Sequence, residues 1–246
     1  MTKEDTVTKE MVRAKVQFAS GGDTCAAWHY RGTSGACVVM AGGFAVTKEA
    51  ATDAFASRFH QAGFSVLAFD YRRLGESGGQ PRLVLPVRDQ IADWHAAISF
   101  ASTLPEVDAA KIALWGFSAS GGHVVRVAAG NPAVAAVIAQ TPNADGLAAA
   151  RNQSRHQRVG AMLRFTGRGA LDAMVFAGPA IRAAQRAPRG ELVRLAGGHY
   201  HPFLAGHEAS VEAELGFLRR HLLPQAGESP APALGRGREH APGPFG

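Results

Sequence analysis

The sequence predicts an α/β fold: a mostly parallel sheet with helices on both faces and a short run of helices over one edge. Three observations carry this reading. Between residues 36 and 139, short apolar runs alternate with helix-compatible segments at close spacing, as βα units do. The runs are continuously apolar rather than alternating, as expected of strands buried on both faces. One of them, in Lys111 to Val124 (KIALWGFSASGGHV), breaks through a turn of small residues directly into a helix-compatible segment.

The elements follow in order. Val12, Ala14, Val16 and Phe18 share one face of a strand, and Cys25 to Tyr30 returns after Ser20-Gly21-Gly22-Asp23 to make a hairpin. Ala36 to Ala41 is a buried strand, and Gly42-Gly43-Phe44 opens a loop. Lys48 to Ala62 is a helix with Ala51, Phe55 and Phe59 on one stripe. Phe64 to Phe69 is a strand running into Asp70-Tyr71-Arg72-Arg73. Val87, Ile91, Trp94, Ile98 and Ala101 line one face of the next helix, which exits at Pro105 and Asp108. Ile112 to Trp115 is a strand, His123 to Ala129 a helix, and Val134 to Ala139 another buried strand. After Gln140 the alternation breaks. Asp145 to Gly169 reads as one or two helices over the sheet edge, Ala173 to Ala177 as a short strand and Pro179 to Gln185 as a helix. Glu191 to Ala196 reads as a last strand ending in Gly197-Gly198-His199, and Val211, Leu215, Leu218 and Leu222 stripe a final helix. The expected organisation is a disordered leader over 1–10, one domain over 11–223 with a reduced cap at 145–190, and a disordered Pro/Gly/Ala-rich tail over 224–246.

Bulk composition removes several function classes. With 246 residues, 46% of them hydrophobic, the chain can build one large core without needing two. The start, MTKEDTVTKE, lacks the apolar centre of a signal peptide, and no run approaches a membrane span. Cys25 and Cys37 lie in strands without metal-ligand spacing, so a reduced, cytoplasmic protein is expected. The net charge of +6 is partly local, since residues 151–190 hold eight arginines against Asp172. Without interleaved aromatics or a recognition motif, these arginines read as a solvated face, or as a rim attracting an acidic substrate, and not as a nucleic-acid surface. No metal and no cofactor are expected, because no His or acid pair stands at ligand spacing.

The strand–GFSASGG–helix stretch is the setting of a nucleophile elbow, in which a sharp turn lifts a serine above the sheet. Ser118 is therefore the candidate nucleophile. Gly116, two before it, and Ser120, two after, are small where strand and helix must pass in contact. A tight βα turn in another α/β fold is the competing reading.

Four pieces taken together, VVMAGGFAVTKE, VLAFDYRRLGESGG, IALWGFSASGGHV and GGHYHPF, resemble the α/β-hydrolase superfamily in that order. The resemblance is to bacterial dienelactone-hydrolase-like or acyl-esterase-like members, and it covers Val12 to Leu223. It implies an α/β-hydrolase fold with a short helical cap, and a serine hydrolase of carboxylic esters or thioesters. Ser118 would be the nucleophile and His199 the general base, with His201 as the competing imidazole. Backbone N–H groups of Ala119 and of Phe44 or Ala45 would form the oxyanion hole. The partner would be a small-molecule ester or thioester, with neither nucleic acid nor membrane, and a homodimer is an admissible assembly.

The sequence departs from the family in three places. It writes Gly42-Gly43-Phe44 where relatives write His-Gly-Phe. It has Ser120 where the elbow usually has glycine. It also lacks the acid that follows the penultimate strand, since Ala173 to Ala177 runs into Gly178-Pro179-Ala180. Asp145 is the candidate substitute acid, with turn or cap chemistry before Gly146 as the alternative, and Asp172 stands on the wrong side of its strand. Asp70 reads as a brace for the loops, His123 as packed beneath the site, and His29, His60 and His95 as surface positions. Without that acid, a catalytically weak binding protein of the same fold, or a lyase or cyclase using the same pocket, are the competing functions.

Overall fold

A computed structural model of the chain describes residues 13–142, 193 and 199–223. Among these, six strands form one sheet: β1 (Ala14–Ser20), β2 (Asp23–Tyr30), β3 (Cys37–Ala41), β4 (Ser65–Phe69), β5 (Ile112–Phe117) and β6 (Val134–Gln140). Their order is β1-β2-β4-β3-β5-β6. The four strands β4-β3-β5-β6 are parallel, and the β1-β2 hairpin closes one side antiparallel. The helices are α1 (Lys48–Gln61), α2 (Val87–Ala101), α3 (Ala119–Ala129) and α4 (His207–Leu222).

The strand pleat divides the core into two layers. Val38, Met40, Val66 and Trp115 face α1 and α4, meeting Phe55, Phe59, Val211, Leu215 and Leu218. Val39, Leu67 and Leu114 face α2 and α3, meeting Trp94, Ile98, Val124 and Val127. Every residue of β3 is thereby buried, which is why its sequence is an unbroken apolar run. Each large side chain taken out of water in this way contributes about 1.5–3 kcal/mol.

Two boundaries next to the elbow differ from expectation, and in the hairpin the strands reach further, to Ser20 and Asp23, which pair. Strand β5 continues past Trp115, because Gly116 pairs with Ala41 and Ala139, and Phe117 with Gln140. Helix α3 starts at Ala119 rather than His123, so Gly121 and Gly122 are helical despite their low propensity. Close packing outweighs propensity there: a Cβ on Gly121 would lie 3.0 Å from Pro142 Cα. Two histidines expected at the surface are half-buried. The His29 side chain is only 11% exposed, with Nε2 2.8 Å from Glu106 Oε1 although off a hydrogen-bonding direction. The His60 ring lies tilted against Tyr30, 5.8 Å between centroids. His95 is exposed.

The leader, the tail, the cap at 145–190 and, apart from Val193, the strand at 191–196 lie outside the described residues. No helix among the described residues is long and apolar enough to cross a membrane. Cys25 and Cys37 are buried, free thiols. The carboxyl ends of β3, β4, β5 and β6 share one edge of the sheet, where open α/β sheets bind ligands.

Candidate active site

Ser118 joins β5 to α3 with φ 56° and ψ −114°. A positive φ is costly for a residue with a Cβ and persists only where the surroundings impose it. Here the Ser118 N–H donates to Gln140 O at 3.1 Å, holding the turn to β6. Gly116 explains the rest, since a Cβ on it would sit 2.4 Å from Ser120 O, inside the backbone of α3.

His199 reaches this serine from the far end of the described chain, with Nε2 3.0 Å from Ser118 Oγ. Its ring packs tilted against Phe117 at 4.9 Å and meets Tyr200 edge-on at 5.0 Å. Partial burial pulls its pKa below the ordinary histidine value, so the neutral, proton-accepting form prevails at neutral pH. His201 points elsewhere: a Cβ on Gly206 would lie 2.2 Å from its Cδ2. It opens a 3₁₀ turn whose Phe203 packs on Phe117 at 4.6 Å and on Phe55 at 5.4 Å, anchoring the histidine loop. Of the two imidazoles, His199 is the one brought to Ser118. The candidate acids Asp145 and Asp172 lie outside the described residues. Among the described ones, no carboxylate hydrogen-bonds His199.

The loop after β3 lies against the serine. A Cβ on Gly43 would come within 3.1 Å of Ser118 Cβ. Gly43 O accepts from Val46 N at 3.4 Å, and Ala45 has φ 55°, the positive value that the third position of a type II turn requires. In a trans peptide the carbonyl and the following N–H point in opposite directions. With Gly43 O turned into the loop, Phe44 N–H therefore points out of it. Among the described residues, none of the N–H groups of Phe44, Ala45 and Ala119 has an acceptor.

Asp70-Tyr71-Arg72, after β4, braces these loops residue by residue. Asp70 accepts from Lys48 N at 2.7 Å, Lys48 Nζ at 2.9 Å and Glu76 N at 3.2 Å. It thus caps the start of α1, where Thr47 makes no side-chain cap. Burial pulls the Lys48 ammonium down, but bonds to Glu76 and Asp70 outweigh it and hold its pKa above the usual range. Arg72 pairs with buried Asp93 at 2.5 Å, and Ser20 Oγ donates to the same oxygen at 2.6 Å.

Tyr71 Oη accepts from Trp94 Nε1 at 2.8 Å, contacts Ser120 Oγ, and lies 3.4 Å from His123 Nδ1. Ser120 Oγ in turn donates to Gly42 O. His123 is a buried residue of the elbow helix itself, and burial followed by nearby Arg126 brings its pKa down to about 4. Behind β5 and β6, Glu214 accepts from Trp115 Nε1 at 3.0 Å and Gln140 Nε2 at 2.9 Å. Burial pushes its carboxyl up to about 8 despite those two donors.

Sequence reasoning missed Ser120 and Glu214. The second serine of GFSASGG passes as a small residue until its hydroxyl is seen to bond. Glu214 was legible in principle, three residues after Val211 and four before Leu218 on the buried stripe. Among the described residues, no three His, Cys, Asp or Glu side chains gather as a metal site.

This sheet order, with a strained serine at the β5–α3 turn and a histidine beyond the last described strand, defines an α/β hydrolase. Residues 32–168, more than half of the chain, match the hydrolase family described as serine aminopeptidase, S33, and the chain belongs to that family. It is 43% identical over 134 residues to the quorum-quenching protein AidA of Acinetobacter baumannii, covering 53% of this chain and 44% of that protein. It is 38% identical over 109 residues to the thiohydrolase aneE of Aspergillus aculeatus, covering 44% of this chain and 34% of that one. The matched stretch thus spans less than half the length of either relative. In fold, the chain is similar to the α/β hydrolase GrgF of a Penicillium species, with a TM-score of 0.68, 21% identity, and coverage of 85% of this chain and 99% of that one. It is also similar to the esterase Pf2001 of Pyrococcus furiosus, with a TM-score of 0.69, 17% identity, and coverage of 90% and 94%.

Proposed function

We propose that this chain is a serine hydrolase of carboxylic esters or thioesters that works through an acyl-enzyme on Ser118. His199 Nε2 takes the Ser118 proton as Oγ attacks the acyl carbonyl. The carbonyl oxygen becomes an oxyanion, received by the N–H of Ala119 and that of Phe44 or Ala45. His199 then returns the proton to the departing alcohol or thiol as the C–O or C–S bond breaks. In the second half the same imidazole deprotonates a water, which releases the acid and restores Ser118. The observation that carries this reading is the 3.0 Å contact between His199 Nε2 and Ser118 Oγ at a serine with positive φ. The thiohydrolase and esterase names among its relatives are consistent with either ester or thioester.

Asp145 is proposed as the acid that orients His199. If it fills that role, Asp145→Asn lowers turnover by about 10⁴-fold, as loss of the correct tautomer does in a serine protease. If the enzyme works as a Ser–His pair, the loss is only a few-fold.

The primary test is labelling by a fluorophosphonate and turnover of a short p-nitrophenyl ester and its thioester counterpart, in the parent and in Ser118→Ala. Both signals are expected to vanish with the serine while the circular dichroism stays unchanged. Equal turnover by the two proteins refutes the proposal.

A further inference from the structure

We propose that Ser120 and Tyr71 are positioning residues for the oxyanion loop: the Ser120 hydroxyl, oriented by Tyr71, grips Gly42 O and so fixes the backbone that presents Phe44 N–H. The inference rests on the serine-hydrolase reading above and assigns a role within the same site.

The direction of every proton in this chain of bonds follows by elimination. Gly42 O can only accept, so Ser120 O–H donates to it. The Ser120 oxygen is then free to accept, and Tyr71 O–H donates to it. Trp94 Nε1 can only donate, and it does so to Tyr71 Oη. With the tyrosine proton committed, His123 faces Tyr71 Oη through Nδ1–H. Ser120 and Trp94 are 0% exposed and Tyr71 1%, so none of these groups exchanges its partner for water. The relay therefore has one arrangement, and it ends on Gly42.

That end point bears on the chemistry. Gly42 is bonded to Gly43, whose carbonyl fixes the turn to Val46, and the peptide carrying that carbonyl also carries Phe44 N–H. Fixing Gly42 O sets one end of this turn. Asp70, through Lys48 N–H, sets the other. Ser120 is two residues from the nucleophile on the elbow helix, so one hydroxyl holds the loop donor in register with Ser118 and Ala119 N–H. Alanine at 120 would leave Gly42 O and the Tyr71 hydroxyl buried without these partners, and the loop free to tilt.

The test uses Ser120→Ala, Tyr71→Phe and the double variant, with active sites counted by titration so that only folded, competent molecules enter the rates. Removing an oxyanion donor outright costs about 10²–10³ in kcat, and displacing one through its support is expected to cost roughly 10- to 100-fold. KM should stay within about threefold, because the loop donor acts on the oxyanion rather than on the bound ester. Affinity for an aryl trifluoromethyl ketone, whose adduct carries the same oxyanion, should fall in parallel with kcat. The double variant should be no worse than Ser120→Ala, since Tyr71 acts through Ser120. A merely structural role would lower the melting temperature yet leave kcat per titrated site and ketone affinity at parent values, and that result overturns the inference. Should Ser120→Ala fail to fold, Tyr71→Phe carries the same comparison, and parent-like kcat and ketone affinity in it overturn the inference equally. If the parent's turnover does not depend on Ser118, the hydrolase reading falls and this inference with it. If it does, and Ser120→Ala turns over at the parent rate, only the inference falls.

Discussion

Replacing Asp70 with asparagine tests whether the ion pair at the end of β4 holds the loops in place. Both Lys48 and Asp70 have 0% exposed side chains. In Asp70→Asn one oxygen still accepts Lys48 N–H, while an amide nitrogen replaces Oδ2. That nitrogen would face two donors, Lys48 Nζ at 2.9 Å and Glu76 N at 3.2 Å. Removing one partner of a buried pair costs about 3–5 kcal/mol. Lys48 keeps Glu76 at 2.8 Å and Glu49 at 3.0 Å, both partly exposed, so the loss should lie near the lower edge, about 3 kcal/mol. For a domain of this size each kcal/mol lowers Tm by about 2–4 °C, which gives a fall of roughly 6–12 °C. Thermal and urea unfolding followed by circular dichroism measure it. Lys48→Met in the Asp70→Asn background removes the ammonium from that donor conflict, so the double variant should be less damaged than the sum of the two single ones. A Tm within about 2 °C of the parent, or strictly additive losses, refutes the pairing as a source of stability.

Three further outcomes are expected. The Glu214 carboxyl is raised from 4.5 to about 8, so the folded state holds a proton that the unfolded chain releases. The stability it contributes is therefore complete below pH 4.5 and lost as pH rises toward about 8. In Glu214→Gln a turned-over Gln140 amide can still satisfy the new group, and the parent's urea midpoint should fall relative to the variant's across that window; a flat difference refutes the shift. Gly116→Ala drives a Cβ to 2.4 Å from Ser120 O, so both Tm and ester turnover should drop, turnover by about 100-fold for a displacement near 1 Å, and parent-like values in both refute the close approach. For His199, burial lowers the pKa below 6.5, so a Ser–His pair without a carboxylate should show kcat/KM rising with pH to half its plateau below that value, and a midpoint above 6.5 refutes the unpaired arrangement in favour of a charged partner such as the proposed Asp145.

Legibility in the sequence followed the range of the interactions involved. Val38, Val39 and Met40 declare a doubly buried strand by themselves, and Phe55 and Phe59 declare a helix stripe, so β3, β4, α1 and α2 were readable to within a residue or two. Ser118 was readable because the elbow is a local device, with strand, turn and helix within Lys111 to Val124. The approach of His199 to Ser118 was expected from the resemblance, which set it on the loop before the final helix. Ser120 was not, because its partners come from Gly42, 78 residues earlier, and Tyr71, 49 earlier. His29 misled for the same reason, its acid partner Glu106 arriving from another loop. Glu214 was passed over because its partners, Trp115 and Gln140, come from β5 and β6, far from it in the chain.

The two departures from the family's usual spelling around the elbow turn out to touch each other. Where relatives write histidine, this chain has Gly42, and no side chain fits there: a Cβ would lie 2.6 Å from Ala51 Cβ and 2.9 Å from Val46 O. A loop without that side chain must be held by its backbone. Where relatives write glycine, this chain has Ser120, whose hydroxyl is spent on the carbonyl of Gly42 itself. Hydrogen bonds of this kind contribute about 0.5–1.5 kcal/mol net, but a buried partner left unmade costs about 1–3 kcal/mol, so a change at Ser120 is felt at Gly42. Ser120→Gly would therefore leave Gly42 O without this support. Restoring histidine at 42 alone would drive a side chain into α1.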